Sequence, residues 1–148
     1  MWSVVSIGHK DPAWLNQALQ PFIDRLKGPY ALHFIHCSAS KSAQKKADEN
    51  LIIQQALPKQ AYKIALDASG KQHDSTQFAH AIQRLQQQHA HLAFVIGGAD
   101  GLNHTTLACC DAVWSLSALT FPHKLVQLIL AEQLYRTFCI LHHHPYHK

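Results

Sequence analysis

Apolar positions along the chain recur at two spacings that take turns. Residues 2–7 are apolar and β-branched and stop at Gly8, which predicts a first strand. Trp14, Leu15, Ala18, Leu19, Phe22, Ile23 and Leu26 then follow at helical spacing. Asp11 is the expected N-cap of that helix, with Pro12 at its first position and Lys27-Gly28-Pro29 at its end. Residues 30–37 alternate in part and predict a second strand. A polar stretch with Lys41, Lys45 and Lys46 enters a helix through Leu51, Ile52, Ala56 and Leu57, broken at Pro58. Residues 62–66 read as a third strand, followed by a turn at Asp67-Ala68-Ser69-Gly70-Lys71. Ser75 is the expected cap of a helix carrying Phe78, Ala81, Ile82 and Leu85. Residues 92–96 are nearly all apolar, as in a strand buried on both faces. A short helix over 105–110, a fifth strand over 112–116 and a last helix over 122–138 complete the series.

Five alternations of strand and helix predict an α/β fold with a mostly parallel sheet flanked by helices. The length suits one domain, residues 1–148. Ligands on such sheets bind beyond the carboxyl ends of the strands. Leu66-Asp67, Gly97-Gly98 and Leu116-Ser117 all fall at such ends, so one shared site is expected there. The last helix, with Leu125-Val126-Gln127-Leu128-Ile129-Leu130-Ala131, is apolar almost all round, where a helix on one side of a sheet needs a single apolar stripe. A homodimer seam is the economical explanation.

Composition narrows the class without naming it. With 47% hydrophobic and 15% charged residues the chain is globular, and its net charge of +4 permits a polyanionic partner without requiring one. The four cysteines contain no CxxC pair, and Cys109 and Cys110 are adjacent, so a reduced, cytoplasmic protein without a metal is expected. No apolar run reaches about 18 residues, so no membrane segment is expected, and the N-terminus lacks the pattern of a signal peptide.

The motifs leave alternatives open when taken singly. Gly97-Gly98-Ala99-Asp100-Gly101 is neither the dinucleotide fingerprint nor a P-loop, and reads as a tight turn or as a backbone-lined ligand loop. Leu116-Ser117-Ala118-Leu119-Thr120-Phe121 offers backbone groups and apolar cover to a flat ligand, or is an ordinary connection into the last helix. Glu132 and Arg136 stand at i, i+4 and form a plain ion pair or belong to a site. The three lysines of 41–46 face solvent or meet phosphate. In the tail, three consecutive histidines cannot all reach one ion, while Tyr146 can stack on a base and His147 and Lys148 can contact phosphate. A frayed terminus is the plain alternative.

Taken together the motifs resemble one family. Phe94-Val95-Ile96-Gly97-Gly98-Ala99-Asp100-Gly101-Leu102, the run from Trp114 through Ser115-Leu116-Ser117-Ala118-Leu119-Thr120-Phe121-Pro122 to His123, Ala131-Glu132-Gln133-Leu134-Tyr135-Arg136 and His144-Pro145-Tyr146-His147-Lys148 stand in the order and spacing of the ribosomal RNA large subunit methyltransferase H family, of the SPOUT class. The resemblance runs the full length. It implies a C-terminal trefoil knot, S-adenosyl-L-methionine held between the two loops, and a homodimer whose site uses the partner's tail. It also implies methylation at N3 of a pseudouridine in large-subunit ribosomal RNA, on the assembled ribosome.

Carried over by position, the resemblance places Leu66, Gly97, Gly98, Leu116, Ser117, Ala118, Leu119, Thr120 and Phe121 at the cofactor. It places His123, Glu132, Arg136, Tyr146 and His147 on the substrate side. His123 is then the first candidate for a catalytic base, because imidazole titrates near working pH, and His147 the second. Arg136 can stabilise a developing imide anion, and solvent can take the proton if no residue does. Two other classes stay open: a SPOUT-fold RNA-binding protein or an enzyme with a different uridine target, and a nucleotide-binding α/β module unrelated to RNA.

Overall fold

A computed structural model describes residues 1–39, 41 and 43–148. Its strands are β1 (Trp2–Gly8), β2 (Leu32–Ser38), β3 (Tyr62–Gln72), β4 (Leu92–Ile96) and β5 (Ala112–Ser115). Its α-helices are α1 (Ala13–Arg25), α2 (Lys45–Ala56), α3 (Ser75–Gln88), α4 (His104–Ala108) and α5 (His123–Leu141). The strands form one sheet in the order β2-β1-β4-β3-β5, and every pairing is parallel. The expected α/β class is therefore the observed one. Ser40 and Ser42, in the basic stretch, lie outside the described residues.

Strand periodicity builds a core on each face. Trp2, Val4, Phe94, Ile96 and Ile64 point to the side covered by α1, α3 and α5, while Val5, Ile7, Val95 and Ala65 point to the side of α2. β4 pairs with β1 and β3 and all five of its residues are buried, which is why its sequence shows no alternation.

Several local expectations are corrected. Asp11 does not cap α1: Pro12 takes that place, and the Asp11 carboxylate pairs with Lys124 of α5. Ser75 does not cap α3 either. Asp74 accepts from Gln77 N and Gln77 Oε1 accepts from Asp74 N, a reciprocal capping box, while Ser75 Oγ donates to Gln133 on α5. Tyr30 belongs to a 3-10 turn at Gly28–Tyr30 instead of opening β2. The turn at 67–71 is an excursion inside one long strand. Leu66 and Lys71 both pair with Trp114, and the bulge between them is closed by Asp67 Oδ2, which accepts from Ser69 N at 2.9 Å. A Cβ on Gly70 would stand within 2.6 Å of the Trp114 backbone, so the bulge admits no side chain there.

The last helix runs three residues further than expected, to Leu141, and ends where His143 turns to φ 54° and His144 N donates to Cys139 O. Its apolar girdle has a reason inside the chain. α5 lies between α1 and α3 and on the sheet, so most of its circumference is covered by its own subunit. Leu125, 40% exposed, remains on the free side.

The capping box is the most local of these devices. Asp74→Ala is expected to lower unfolding stability by about 1 kcal/mol, measured by urea denaturation, with the folded circular-dichroism spectrum unchanged.

Candidate active site

Parallel order brings the carboxyl ends of β4, β3 and β5 side by side, and the loops leaving them form a cleft of about 230 Å³. Of the nine positions expected at the cofactor, Leu66, Gly97, Gly98, Leu116, Ser117, Leu119, Thr120 and Phe121 line it, while Ala118 does not. Asp67, Ala68, Ile96, Ala99, Gly101, Leu102, Ser115 and Val126 line it as well. All of these fall within stretches singled out in the sequence, without having been assigned to the cofactor one by one.

The cleft floor is backbone for a steric reason. A Cβ on Gly97 would meet the Gly101 carbonyl carbon at 2.7 Å, because the loop closes on itself with Gly101 N donating to Gly98 O. Gly101 turns the chain at φ 74°. The opposite wall is held by Ser115 Oγ, which donates to Ser117 O, and by Ser117 Oγ, which accepts from Leu119 N. Leu119 itself is 69% exposed at the rim. A glycine floor and apolar walls lined by loop backbone suit a flat heterocycle with a polar edge. The residues present therefore fit an adenosyl cofactor.

His123, the first residue of α5, stands on the cleft wall. Its Nε2 is buried without a hydrogen-bond partner, against Gly8 at the end of β1. Burial, then the neighbouring Lys124 ammonium, pushes its pKa below the ordinary imidazole value of 6.5. Asp11 and Glu49 oppose the shift and His36 adds to it. Near neutral pH the ring is thus held neutral and able to accept a proton.

Glu132, Arg136, Tyr146 and His147 come together, but away from this cleft. Glu132 Oε1 accepts from Arg136 Nη2 at 2.5 Å, Arg136 Nε at 3.0 Å and Tyr146 Oη at 3.0 Å. The Arg136 guanidinium lies over the Tyr146 ring, with His147 Nδ1 3.2 Å from its Nη1. Tyr146 also packs edge-on to Tyr135. The hydrogen bond to Glu132 holds the Arg136 pKa above its usual value, and burial, then the same carboxylate, raises that of Tyr146. Arg136 is thirteen residues beyond His123 on one helix, roughly 20 Å along its axis. The tail is not frayed; it is seated on its own helix.

Among the described residues, no three His, Cys, Asp or Glu side chains are grouped so as to hold a metal ion. No described helix is long and apolar enough to cross a membrane.

Comparison with known proteins identifies this architecture. A family described as "Predicted SPOUT methyltransferase" matches residues 1–147. Two solved structures share the fold: a probable methyltransferase from Bordetella pertussis Tohama I (TM-score 0.56, 14% identity, 91% of this chain and 95% of that one) and a probable methylase family protein from Haemophilus influenzae Rd KW20 (TM-score 0.60, 12% identity, 99% and 70%). The class is thus SPOUT methyltransferase. Among curated relatives, the ribosomal RNA large subunit methyltransferase H of Legionella pneumophila strain Paris is 39% identical over 99% of this chain and 97% of its own. That of Coxiella burnetii strain Dugway 5J108-111 is 34% identical over 99% and 98%. The chain belongs to the ribosomal RNA large subunit methyltransferase H family.

The shifted imidazole yields a signed prediction. In a proton NMR titration His123 should have its midpoint below 6.5, and Lys124→Gln should move that midpoint upward. The unfolded chain takes up this proton first, so stability should fall as pH drops from 6.5 to the folded midpoint. A midpoint at or above 6.5 would contradict the neutral assignment.

Proposed function

We propose that the protein methylates N3 of a pseudouridine in large-subunit ribosomal RNA, with S-adenosyl-L-methionine as methyl donor, as a cytoplasmic homodimer acting on the assembled ribosome. The observation that carries this reading is the convergence of the glycine loop, the 116–121 loop and a neutral His123 on one cleft. The full-length relatives named as ribosomal RNA methyltransferases support the substrate class. The single domain, residues 1–148, and the knotted passage of its C-terminal third belong to the same reading.

The bound cofactor would supply an electrophilic methyl group. Gly97 and Gly98 would lie along the heterocycle without side-chain interference, and Leu116, Leu119 and Phe121 would cover its faces and exclude water. His123 accepts the N3 proton as the nucleophile forms. Arg136 stabilises the imide anion, and Tyr146 stacks on a base, with His147 beside them.

Because one chain keeps His123 and the Arg136 cluster apart, the reading requires the partner subunit. Trp14 at 49% and Leu125 at 40% exposure lie at the N-terminal ends of α1 and α5, which Asp11 and Lys124 tie together. Two copies packed about a two-fold axis with their α5 helices antiparallel and overlapping along their length would cover these residues. Each tail cluster would then face the other copy's cleft.

Two experiments test this. Ribosomes from a strain lacking the gene, incubated with protein and cofactor, should gain N3-methylpseudouridine on nucleoside analysis, while the isolated RNA stem-loop should gain little, given the modest charge of +4. Efficient methylation of the fragment, or methyl at another base, would overturn the substrate assignment. Separately, His123→Ala and Arg136→Ala should each be nearly inactive. Mixed and re-equilibrated they should recover about a quarter of wild-type activity, through heterodimers with one intact site; no recovery would place both residues in one subunit's site.

A further inference from the structure

Behind the cofactor loop stands a pair of buried polar residues that the chemistry above does not use. Glu49 and Asn50, adjacent on α2, are 3% and 1% exposed. Neither lines the cleft. Polar side chains are seldom buried this fully unless their hydrogen bonds are placed for them. Those of Asn50 join its own helix to the end of the glycine loop. Asn50 Oδ1 accepts from Asn103 N at 2.9 Å, and Asn50 Nδ2 lies 3.4 Å from Gly101 O while donating to Lys46 O at 2.8 Å. Glu49 reaches the same loop one step earlier. A Cβ on Gly98 would lie 2.6 Å from Glu49 Oε2 and 3.4 Å from Ile7 Cγ2.

We infer that Glu49 and Asn50 are positioning residues for the cofactor: α2 presses the glycine loop from behind and sets the height of its backbone in the cleft. The inference rests on the methyltransferase reading given above. Gly98 is caught between two surfaces, ligand on one side and the Glu49 carboxylate on the other. Lys45 Nζ, 3.9 Å from Glu49 Oε1, partly balances that buried charge. Gly101 is the turning point at φ 74°, and the Asn50 amide spans from its carbonyl to the N–H of Asn103. Asn103 in turn caps α4, accepting from Thr106 N at 2.9 Å. The loop is thereby fixed before ligand arrives, which removes an ordering cost from binding.

A purely structural role and a positioning role differ in what they move. Gln54, one turn along α2, donates to Thr106 Oγ1 at 2.9 Å and so ties α2 to α4 without touching the glycine loop. Calorimetry with S-adenosylhomocysteine on the purified protein gives a readout independent of turnover. Asn50→Ala should weaken binding roughly five- to tenfold, from loss of buried hydrogen bonds. It should raise KM for S-adenosylmethionine in parallel and leave kcat at saturating cofactor nearly unchanged. Asn50→Asp, which keeps the acceptor for Asn103 N, should recover part of the affinity, and Glu49→Gln should retain most of it by preserving shape behind Gly98. Gln54→Ala should lower Tm without changing Kd. Equal Kd for Asn50→Ala and wild type, or a loss as large for Gln54→Ala, overturns the inference and leaves the enzyme reading intact. If wild-type protein binds neither cofactor form, the enzyme reading itself fails, and the inference with it.

Discussion

The end of β4 is the constraint on which the site depends. A strand buried on both faces and paired on both edges has nowhere to send its chain except out through its carboxyl end. There the backbone meets a cavity in front and α2 behind. A Cβ on Gly97 would strike the Gly101 backbone and one on Gly98 the Glu49 carboxylate, so the chain leaves the sheet as bare peptide and reverses at Gly101. The cleft floor is thus peptide, held with the positional accuracy of a core strand.

The second wall depends on the first. β5 reaches its place only by crossing beyond β3, where the bulge at 67–70 lets β3 pair with Trp114 twice. That double pairing fixes Ser115, and Ser115 and Ser117 shape the loop that follows. The same loop delivers the chain to His123 at the start of α5. Cleft and imidazole are thus consecutive consequences of one topology, and the Lys124–Asp11 pair locks α5 to the beginning of α1. Lys124 has two effects there: it ties the helices, and it adds to the downward pKa shift that burial imposes on its neighbour.

At its other end, α5 carries the opposite electrostatic arrangement. Glu132 accepts from Arg136 and Tyr146 at once, so the guanidinium is oriented and flanked by an aromatic face. Such a group suits an anionic or stacked partner. One helix therefore presents an imidazole at its first residue and a guanidinium thirteen residues further on. No single cleft joins them within a chain.

Periodicity alone determined much of this protein: five strands, five helices, their order, and the strand ends where a ligand would sit. Those features are local, since an apolar stripe or a doubly buried strand writes its burial into its own residues. Four motifs in register carry the resemblance to the family. Tertiary structure decided what depends on distant partners. Asp11 was legible as a cap, but a lysine over a hundred residues away claims its carboxylate; Asp67-Ala68-Ser69-Gly70-Lys71 was legible as a turn, but pairing to β5 makes it a bulge. The girdle of α5 pointed to a second subunit, while α1 and α3 account for most of it. Glu49 and Asn50 carried no signal at all, lying on a helix of weak amphipathicity whose partners begin with a glycine loop about fifty residues on. Burial of a polar group is a property of what folds over it, and only the assembled sheet brings that cover into place.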